Sequence, residues 1–329
     1  MTETGRSPQT LWMPAIIPLP AGQGKWMTSP DTANGLAVVA RQPYTWQLRR
    51  GGLTLGATTR LMGIINVTPD SFSDGGRYTT VEAALAQAQR LVAEGADILD
   101  IGGESTRPGA QTVDEAEEMA RVIPVIEAVA QAVDVPLSID TYKASVAEAA
   151  LAAGAVIVND ISGFRFDDRM PEVIARHGAG VVVMHSRGTP GALHGLPPVA
   201  DILADVTAGF EHSLEVARTA GIGLDSIVFD PGLGFGKTLE DNLLLLGTLP
   251  RLAALGRPLL VGPSRKSFIG RVTGKADPSD RLLGTAASVA LAIAGGAHIV
   301  RVHDVAAMRE CAALVDAVRT TVFPTGEPG

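Results

Sequence analysis

Short apolar runs rich in Val, Ile and Leu alternate with amphipathic, Ala-rich stretches between residues 61 and 320. Eight runs recur in this way, and each precedes a stretch with helical periodicity. Continuous apolar runs of this length are typical of parallel strands that are buried on both faces. The alternation therefore predicts an α/β protein with a (β/α)8 TIM barrel, and an open doubly wound sheet is the alternative. The predicted strands are 61–67, 97–102, 136–140, 155–160, 180–185, 226–230, 258–262 and 298–303, and the predicted helices are 81–94, 112–132, 143–153, 169–177, 200–220, 239–255, 281–295 and 304–320.

The N-terminal part of the chain lacks this regularity. Residues 1–44 are rich in Pro, Gly, Ser, Thr and Gln, which predicts a flexible N-terminal extension. Residues 45–60 predict a short hairpin that turns at Gly51-Gly52 and could plug the bottom of the barrel. We therefore predict a single catalytic domain over 45–320, followed by a C-terminal tail over 321–329.

Composition and charge narrow the class of protein. The chain has 329 residues, 46% of them apolar, which is ample for the core of such a barrel. A formal net charge of -8 argues against nucleic acid as a partner, because phosphate backbones require a clustered basic face. The single Cys311 excludes an intramolecular disulfide, and no apolar run of about 18 residues predicts a membrane span. A cytoplasmic enzyme without membrane contact is the simplest interpretation.

Polar residues follow every predicted strand, at the end where a TIM barrel carries its chemistry. Asp140, Asn159, Asp230 and Lys266 combine acceptors and donors in a set suited to a flat, nitrogen-rich heterocycle. Asp140 taken alone could equally be the N-cap of the next helix. The convergence of all strand ends on one mouth favours a binding site.

The last predicted strand carries two basic residues on one face. Arg301 and His303 alternate with Val302, so both point to the same side, and Asn66 ends the adjacent first strand. Together they suit a phosphate or diphosphate, whereas a structural ion pair is the alternative for Arg301. His185 follows Met184 and could touch a bound ligand, or it could be a packed, hydrogen-bonded histidine. No cluster of His, Cys and Asp has zinc spacing.

Two long loops rich in Gly, Pro and Ser follow the first two predicted strands, at 67–78 and 102–111. They are either ordinary surface loops or loops that close over a substrate and exclude water. Residues 231–238, PGLGFGKT, come close to the phosphate-loop pattern GxxxxGK[ST], but Pro231 stands where its first glycine belongs. The glycines of this segment more simply predict a tight turn beside a ligand.

Eight motifs, one at each predicted strand and in the same order along the chain, resemble those of the dihydropteroate synthase family. The most specific are NVTPDSFSDGG (66–76), GGESTRPGA (102–110) and SRKS (264–267). The others are SIDTYK, VNDISG, MHSRG, FDPGLGFGK and RVHD, and the resemblance covers residues 61–304. The N-terminal extension lies outside it.

The resemblance implies an activity and its binding residues. Members of this family condense (7,8-dihydropterin-6-yl)methyl diphosphate with 4-aminobenzoate, giving 7,8-dihydropteroate and diphosphate in folate biosynthesis. The positions implied for the pterin are Asp140, Asn159, Met184, Asp230 and Lys266. Those implied for the diphosphate are Asn66, Arg301 and His303, with Mg2+ between Asn66 and the phosphate oxygens. Those implied for aminobenzoate are Phe72, Thr106, Arg107, Pro108, Phe235 and Ser267. Sulfonamides mimic aminobenzoate and are expected ligands, and a homodimer through the late helices is expected.

An SN1-like substitution is a coherent mechanism for such a site. Mg2+, Arg301 and His303 would spread the charge of the departing diphosphate. Asp140 and Asp230 would stabilise the pterin cation that remains, and Lys266 completes the predicted catalytic set. The rivals are a pterin-dependent methyltransferase, which needs no aminobenzoate pocket, and a non-catalytic pterin-binding paralogue.

Overall fold

Eight parallel strands surround the centre of the molecule in a computed structural model, which describes residues 38–68, 77–105, 112–189 and 196–323. The strands are β3 (Arg60–Asn66), β4 (Ile98–Gly102), β5 (Leu137–Asp140), β6 (Ile157–Asp160), β7 (Gly180–Met184), β8 (Ile227–Asp230), β9 (Leu260–Val261) and β10 (Ile299–Val302). Their order is β8-β7-β6-β5-β4-β3-β10-β9, and a parallel bridge between Phe229 and Leu259 joins the two ends. The sheet therefore closes into the predicted (β/α)8 barrel.

Helices cover the outside of this barrel. They are α1 (Arg77–Ala93), α2 (Glu115–Ala130), α3 (Ala144–Ala153), α4 (Met170–His177), α5 (Ile202–Ala220), α6 (Leu239–Gly247), α7 (Leu249–Ala253), α8 (Ser267–Thr273), α9 (Leu282–Ala294) and α10 (Val305–Val322), with 3-10 turns at Leu224–Ser226 and Pro278–Arg281. The single helix predicted over 239–255 is wrong, because Pro250 cannot continue an α-helix and the chain divides into α6 and α7. The short helix α8 was not among the helices predicted from the apolar pattern, although the resemblance implies a helix that begins at Ser267. Within the described ranges, no helix has both the length and the apolar character needed to cross a membrane.

The N-terminal hairpin lies under the barrel, as the sequence predicts. Strands β1 (Tyr44–Gln47) and β2 (Gly52–Leu55) pair antiparallel around Gly51, whose φ of 80° suits a residue without a Cβ. Trp46 is fully buried among the first inward-facing residues of the barrel strands, and its Nε1 donates to the carbonyl of Ser226 at 2.8 Å. The hairpin therefore closes the bottom of the barrel with apolar side chains.

The residues just before the hairpin also contact the barrel. The amide of Val39 donates to the carbonyl of Ala294 at 2.9 Å, and the buried Arg41 pairs with Asp316 of α10. Residues 38–43 thus pack on the barrel, although the sequence assigned them to a flexible extension. The rest of that extension, 1–37, and the tail residues 324–329 lie outside the described residues, so the division into domains stays a prediction.

Candidate active site

The inward-facing side chains of the barrel change from apolar to polar within two residues along the strands. The lower layer, packed on the hairpin, includes Ile98, Ile157, Val228 and Ile299. Side chains two positions apart on a strand share a face, so the next inward residues are Asp100, Asn159, Asp230 and Arg301. These four come from alternate strands, β4, β6, β8 and β10, as the layers of a TIM barrel do. We call this set the polar layer, and it lies toward the C-terminal mouth.

Arg301 joins two acids in the barrel interior. Its Nε donates to Asp100 Oδ2 and its Nη2 to Asp140 Oδ2, both at 2.6 Å. Burial opposes the charge of Arg301, but the carboxylates of Asp100 and Asp140 outweigh that effect and raise the pKa of Arg301. Arg301 therefore stays cationic. The ion pair considered as an alternative does form, and Nη1 is the nitrogen that neither carboxylate engages.

Asp100 is the member of this network that the sequence analysis missed. It is fully buried in β4, and its Oδ2 also accepts from Asn159 Nδ2 at 3.0 Å. A buried carboxylate requires a cationic partner, so an acid inside an otherwise apolar strand was a usable signal. The site residues were predicted only at strand ends, and Asp100 lies two residues before the end of its strand.

The two predicted acids, Asp140 and Asp230, lie on β5 and β8. Burial raises the pKa of Asp140 to about 7, although the charge of Arg301 lowers it. Burial also raises the pKa of Asp230, with Lys266 opposing the shift. Asp230 Oδ1 accepts from the backbone amide of Gly232 at 2.7 Å, so the glycine-rich turn after β8 fixes this carboxyl group. These acids are held where a cationic or N–H-rich ligand would meet them.

Lys266 precedes α8 and reaches across toward the turn after β8. Its Nζ donates to the carbonyl of Leu233 and lies 4.7 Å from the ring centroid of Phe235. Burial lowers the pKa of Lys266 to about 8, with Asp230 opposing the shift. Ser267 is the first residue of α8 and is exposed. The structure thus brings Lys266, Phe235 and Asp230 together.

The predicted anion-binding residues lie at the ends of neighbouring strands. His303 follows β10, and its Nδ1 is 2.9 Å from Ser264 Oγ, which also accepts from the His303 amide at 3.2 Å. Asn66 is half-buried at the end of β3, the strand that pairs with β10. Arg301 completes this group from the polar layer. The three predicted residues therefore occupy adjacent strands of the barrel.

Two further predictions concern β7 and its end. Met184 is buried against Ile161, with Phe235 packed beside them, so it provides an apolar wall next to the polar layer. His185 is also buried, with Nε2 3.4 Å from Asp205 Oδ2. Burial lowers the pKa of His185 to about 2, which keeps the ring neutral. The geometry favours the packed histidine over a ligand-binding role for His185.

The base of the second predicted loop is tied down by a buried charge cluster. Lys143 Nζ donates to Glu104 and to Glu118, the latter at 2.5 Å, and Tyr142 Oη donates to Glu104 at 3.0 Å. Glu104 follows β4, so this cluster fixes the chain where it leaves the barrel toward residues 106–111. The predicted site residues Phe72, Thr106, Arg107 and Pro108 lie outside the described residues.

The donors at the mouth determine which metal ion the site could hold. No group of three His, Cys, Asp or Glu side chains in the described ranges could hold a metal ion. Asn66 offers one carbonyl oxygen at the mouth, and Asp100 and Asp140 are engaged by Arg301. This donor set does not form a protein cage, but it fits a Mg2+ ion that takes most of its ligands from a bound diphosphate and water.

The chain is similar to proteins of known family and structure. The model of the family described as pterin binding enzyme matches residues 62–303. A dihydropteroate synthase of Synechocystis sp. is 50% identical over 263 residues, which cover 80% of this chain and 91% of that protein.

Two solved structures share the fold and much of the sequence. The Yersinia pestis dihydropteroate synthase in a sulfonamide drug complex has a TM-score of 0.78 and 43% identity, covering 84% of this chain and 99% of that one. The dihydropteroate synthase from Xanthomonas albilineans in complex with 7,8-dihydropteroate has a TM-score of 0.74 and 43% identity, covering 83% and 98%. Both likenesses extend over nearly the whole length of the solved chains.

Proposed function

The chain belongs to the dihydropteroate synthase family of pterin-binding enzymes, and from this premise we propose the reaction that it catalyses. It condenses (7,8-dihydropterin-6-yl)methyl diphosphate with 4-aminobenzoate, giving 7,8-dihydropteroate and diphosphate, as a transferase of folate biosynthesis. One observation carries this proposal. The polar layer and its neighbours place acids, an amide and two cations around the mouth of one barrel.

The pterin is bound by two acceptors of the polar layer and by the neighbouring Asp140. Asp140, Asn159 and Asp230 accept hydrogen bonds from ring N–H and amino groups, and Lys266 donates to a ring acceptor. Met184 packs on the flat face of the ring. The buried Oδ1 of Asn159 supports this role, because it has no hydrogen-bond partner among the described residues and a ligand N–H would supply one.

The diphosphate is bound by Asn66, Arg301 and His303 on adjacent strands. Arg301 stays cationic through its acidic neighbours, and His303 is held in place by Ser264. Mg2+ would be held by Asn66 and the diphosphate oxygens, and when bound it would supply neutralisation of the leaving group's charge. Sulfonamide binding follows from the second substrate, because these drugs mimic aminobenzoate.

The aminobenzoate lies over Phe235 and the aliphatic part of Lys266. Its carboxylate would meet the hydroxyl of the exposed Ser267. Phe72, Thr106, Arg107 and Pro108 are proposed to contact the same ring from the two long loops. This arrangement puts the amine of the second substrate next to the pterin methyl carbon, which a uniform apolar pocket would not do.

The reaction proceeds by an SN1-like order. The bond from the pterin methyl carbon to the diphosphate oxygen breaks first, and both bonding electrons leave with the diphosphate. The carboxylates of Asp140 and Asp230 stabilise the pterin cation, which the aminobenzoate nitrogen then attacks before losing a proton. Exclusion of water protects the cation, and no strong general base is needed.

A two-substrate assay tests this function. The enzyme is mixed with pterin diphosphate, 4-aminobenzoate and Mg2+, and diphosphate and dihydropteroate are both quantified. Equal amounts of the two products are expected, with loss of activity in EDTA. Lys266→Met should lower kcat/KM by about 100-fold, as removal of one charged donor does. Lys275→Met is the matched control, because Lys275 is exposed and away from the polar layer.

Two outcomes would contradict the proposal. Pterin binding without diphosphate release would indicate a non-catalytic paralogue. Transfer of a methyl group from a methylated pterin to a corrinoid would indicate the methyltransferase. A cytoplasmic location and a homodimer, expected from the sequence, remain predictions.

A further inference from the structure

Asp100 makes contacts that no substrate-binding role explains. It is fully buried in β4, one step deeper in the barrel than Gly102, the inward position at the mouth. Its Oδ2 accepts from two groups at once, Arg301 Nε at 2.6 Å and Asn159 Nδ2 at 3.0 Å. Asn159 belongs to the proposed pterin site, and Arg301 belongs to the adjoining diphosphate site.

The contact with Asn159 settles which way its amide points. A carboxylate only accepts hydrogen bonds, so the NH2 group of Asn159 must face Asp100. The carbonyl oxygen Oδ1 of Asn159 then points away from Asp100, and it is buried without a hydrogen-bond partner among the described residues. A buried acceptor of this kind suits a ligand N–H, whereas the flipped amide would present a donor instead.

The contact with Arg301 sets the plane of the guanidinium. Asp100 holds Nε and Asp140 holds Nη2, so two anchors on different strands fix the planar group. Without Asp100, Arg301 would keep only Asp140 as a carboxylate partner and could rotate about its side chain.

We propose that Asp100 is a positioning residue of the pterin site, which holds Arg301 and turns the Asn159 carbonyl oxygen to accept from a heterocycle N–H. The inference rests on the proposed function, since it concerns recognition of the pterin. Asp100 acts through its two neighbours and does not touch the reacting atoms.

The test compares two substitutions at position 100. Asp100→Leu removes both acceptor contacts with little change in size, and Asp100→Asn restores an oxygen acceptor without the charge. Binding of unreactive 6-hydroxymethylpterin is measured by calorimetry, and KM for 4-aminobenzoate is measured separately. Asp100→Leu should weaken pterin binding by about tenfold or more, as loss of one charged hydrogen bond does. Asp100→Asn should recover part of that loss, and KM for aminobenzoate should stay within about twofold.

Ser138→Ala is the matched control. Ser138 is fully buried on β5 directly beside Asp100 in the sheet, and neither contact described above involves it. This variant should bind the pterin as the unsubstituted enzyme does. In the double variant Asp100→Leu with Asn159→Ala, pterin affinity should fall by less than the product of the two single fold-changes. Both substitutions remove the same contact between Asp100 and the Asn159 amide.

Several results would overturn the inference. Unchanged pterin affinity in Asp100→Leu would overturn it. An equal loss of binding for the pterin and for 4-aminobenzoate would also overturn it. If Asp100→Leu does not fold, Asp100→Ser, which leaves room for water, takes its place. Unfolding of that variant too would assign Asp100 to stability instead. If the unsubstituted enzyme binds no pterin, the proposed function itself fails. If that enzyme binds the pterin and substitutions of Asp100 leave the affinity unchanged, only this inference fails.

Discussion

At the scale of single residues, partial burial brings the pKa values of two groups at the mouth close to neutral pH. Burial raises the pKa of Asp140 to about 7 and lowers the pKa of Lys266 to about 8. Asp140 is therefore anionic above the first value, and Lys266 is cationic below the second. The Asp140 anion and the Lys266 cation are therefore both well populated only near and between these two pKa values.

The pH profile of kcat/KM is expected to follow this window. Activity should rise as the pH increases through about 7, because Asp140 becomes anionic, and should fall through about 8, because Lys266 loses its proton. A steady-state profile at saturating Mg2+ measures both limbs. Asp140→Asn should remove the rising limb from the residual activity, and Lys266→Arg should move the falling limb to higher pH.

An unchanged rising limb in Asp140→Asn would contradict this assignment. A falling limb that persists in Lys266→Arg would point to Lys237, a neighbouring lysine whose pKa burial lowers to about 7. The two variants therefore separate the groups.

At the scale of elements, the hairpin and the mouth lie at opposite ends of the strands. Trp46 fills the bottom of the barrel and contacts the apolar layer. The polar layer begins two residues further along each strand, toward the mouth. Stability and substrate binding should therefore respond differently to changes in the hairpin.

Trp46→Ala is expected to destabilise the fold without much effect on the mouth. Loss of a large buried aromatic side chain costs about 3–5 kcal/mol, measured as the change in the free energy of unfolding in urea. KM for both substrates should change by less than about threefold. Thr45→Ala, at an exposed position on the same strand, is the control and should leave stability nearly unchanged. A large rise in either KM with normal stability would contradict the separation.

Much of the element pattern could be predicted from the sequence. Buried parallel strands produce apolar runs such as 180–184, and the polar residue that ends each run marks the mouth. The division at Pro250 was missed because the apolar periodicity continues across it. Asp100 was missed for a different reason, since only the two-residue alternation counted from Ile98 places its side chain inside the barrel.

The partners of the charged residues could not be predicted in the same way. Arg301 pairs with Asp100 and Asp140, which are 201 and 161 positions away along the chain. Which acid it meets depends on strand register and side-chain reach, and these are properties of the closed barrel. The sequence therefore indicates which residues gather at the mouth but leaves open how they bond to one another.

At the scale of the whole molecule, an apolar surface remains on the late helices. Leu314, Val318 and Val322 lie four residues apart along one face of α10, and Leu314 is 69% exposed. Leu283, on the neighbouring α9, is 83% exposed. The exposed apolar stripe on α10 supports the homodimer expected through these helices.

Leu314→Glu is expected to yield a monomer, because it places a charge in the apolar stripe through which the homodimer is predicted to form. Light scattering after size-exclusion chromatography measures the mass. Leu244→Glu, a matched change at an exposed leucine of α6, should leave the mass unchanged. A monomeric unsubstituted protein, or a dimer that tolerates Leu314→Glu, would contradict the prediction.

The ring of strands has its fewest paired residues between β8 and β9, where Phe229 and Leu259 form a single bridge. Asp230 ends one side of this join, and Lys266 follows the other. A pterin that is hydrogen-bonded to both Asp230 and Lys266 would oppose local separation of β8 from β9. Pterin binding should therefore stabilise the closed barrel at this join. Hydrogen exchange at the Phe229 amide, which donates to the carbonyl of Pro258, should slow when the pterin is bound, and equal rates would show that the join opens independently of the ligand.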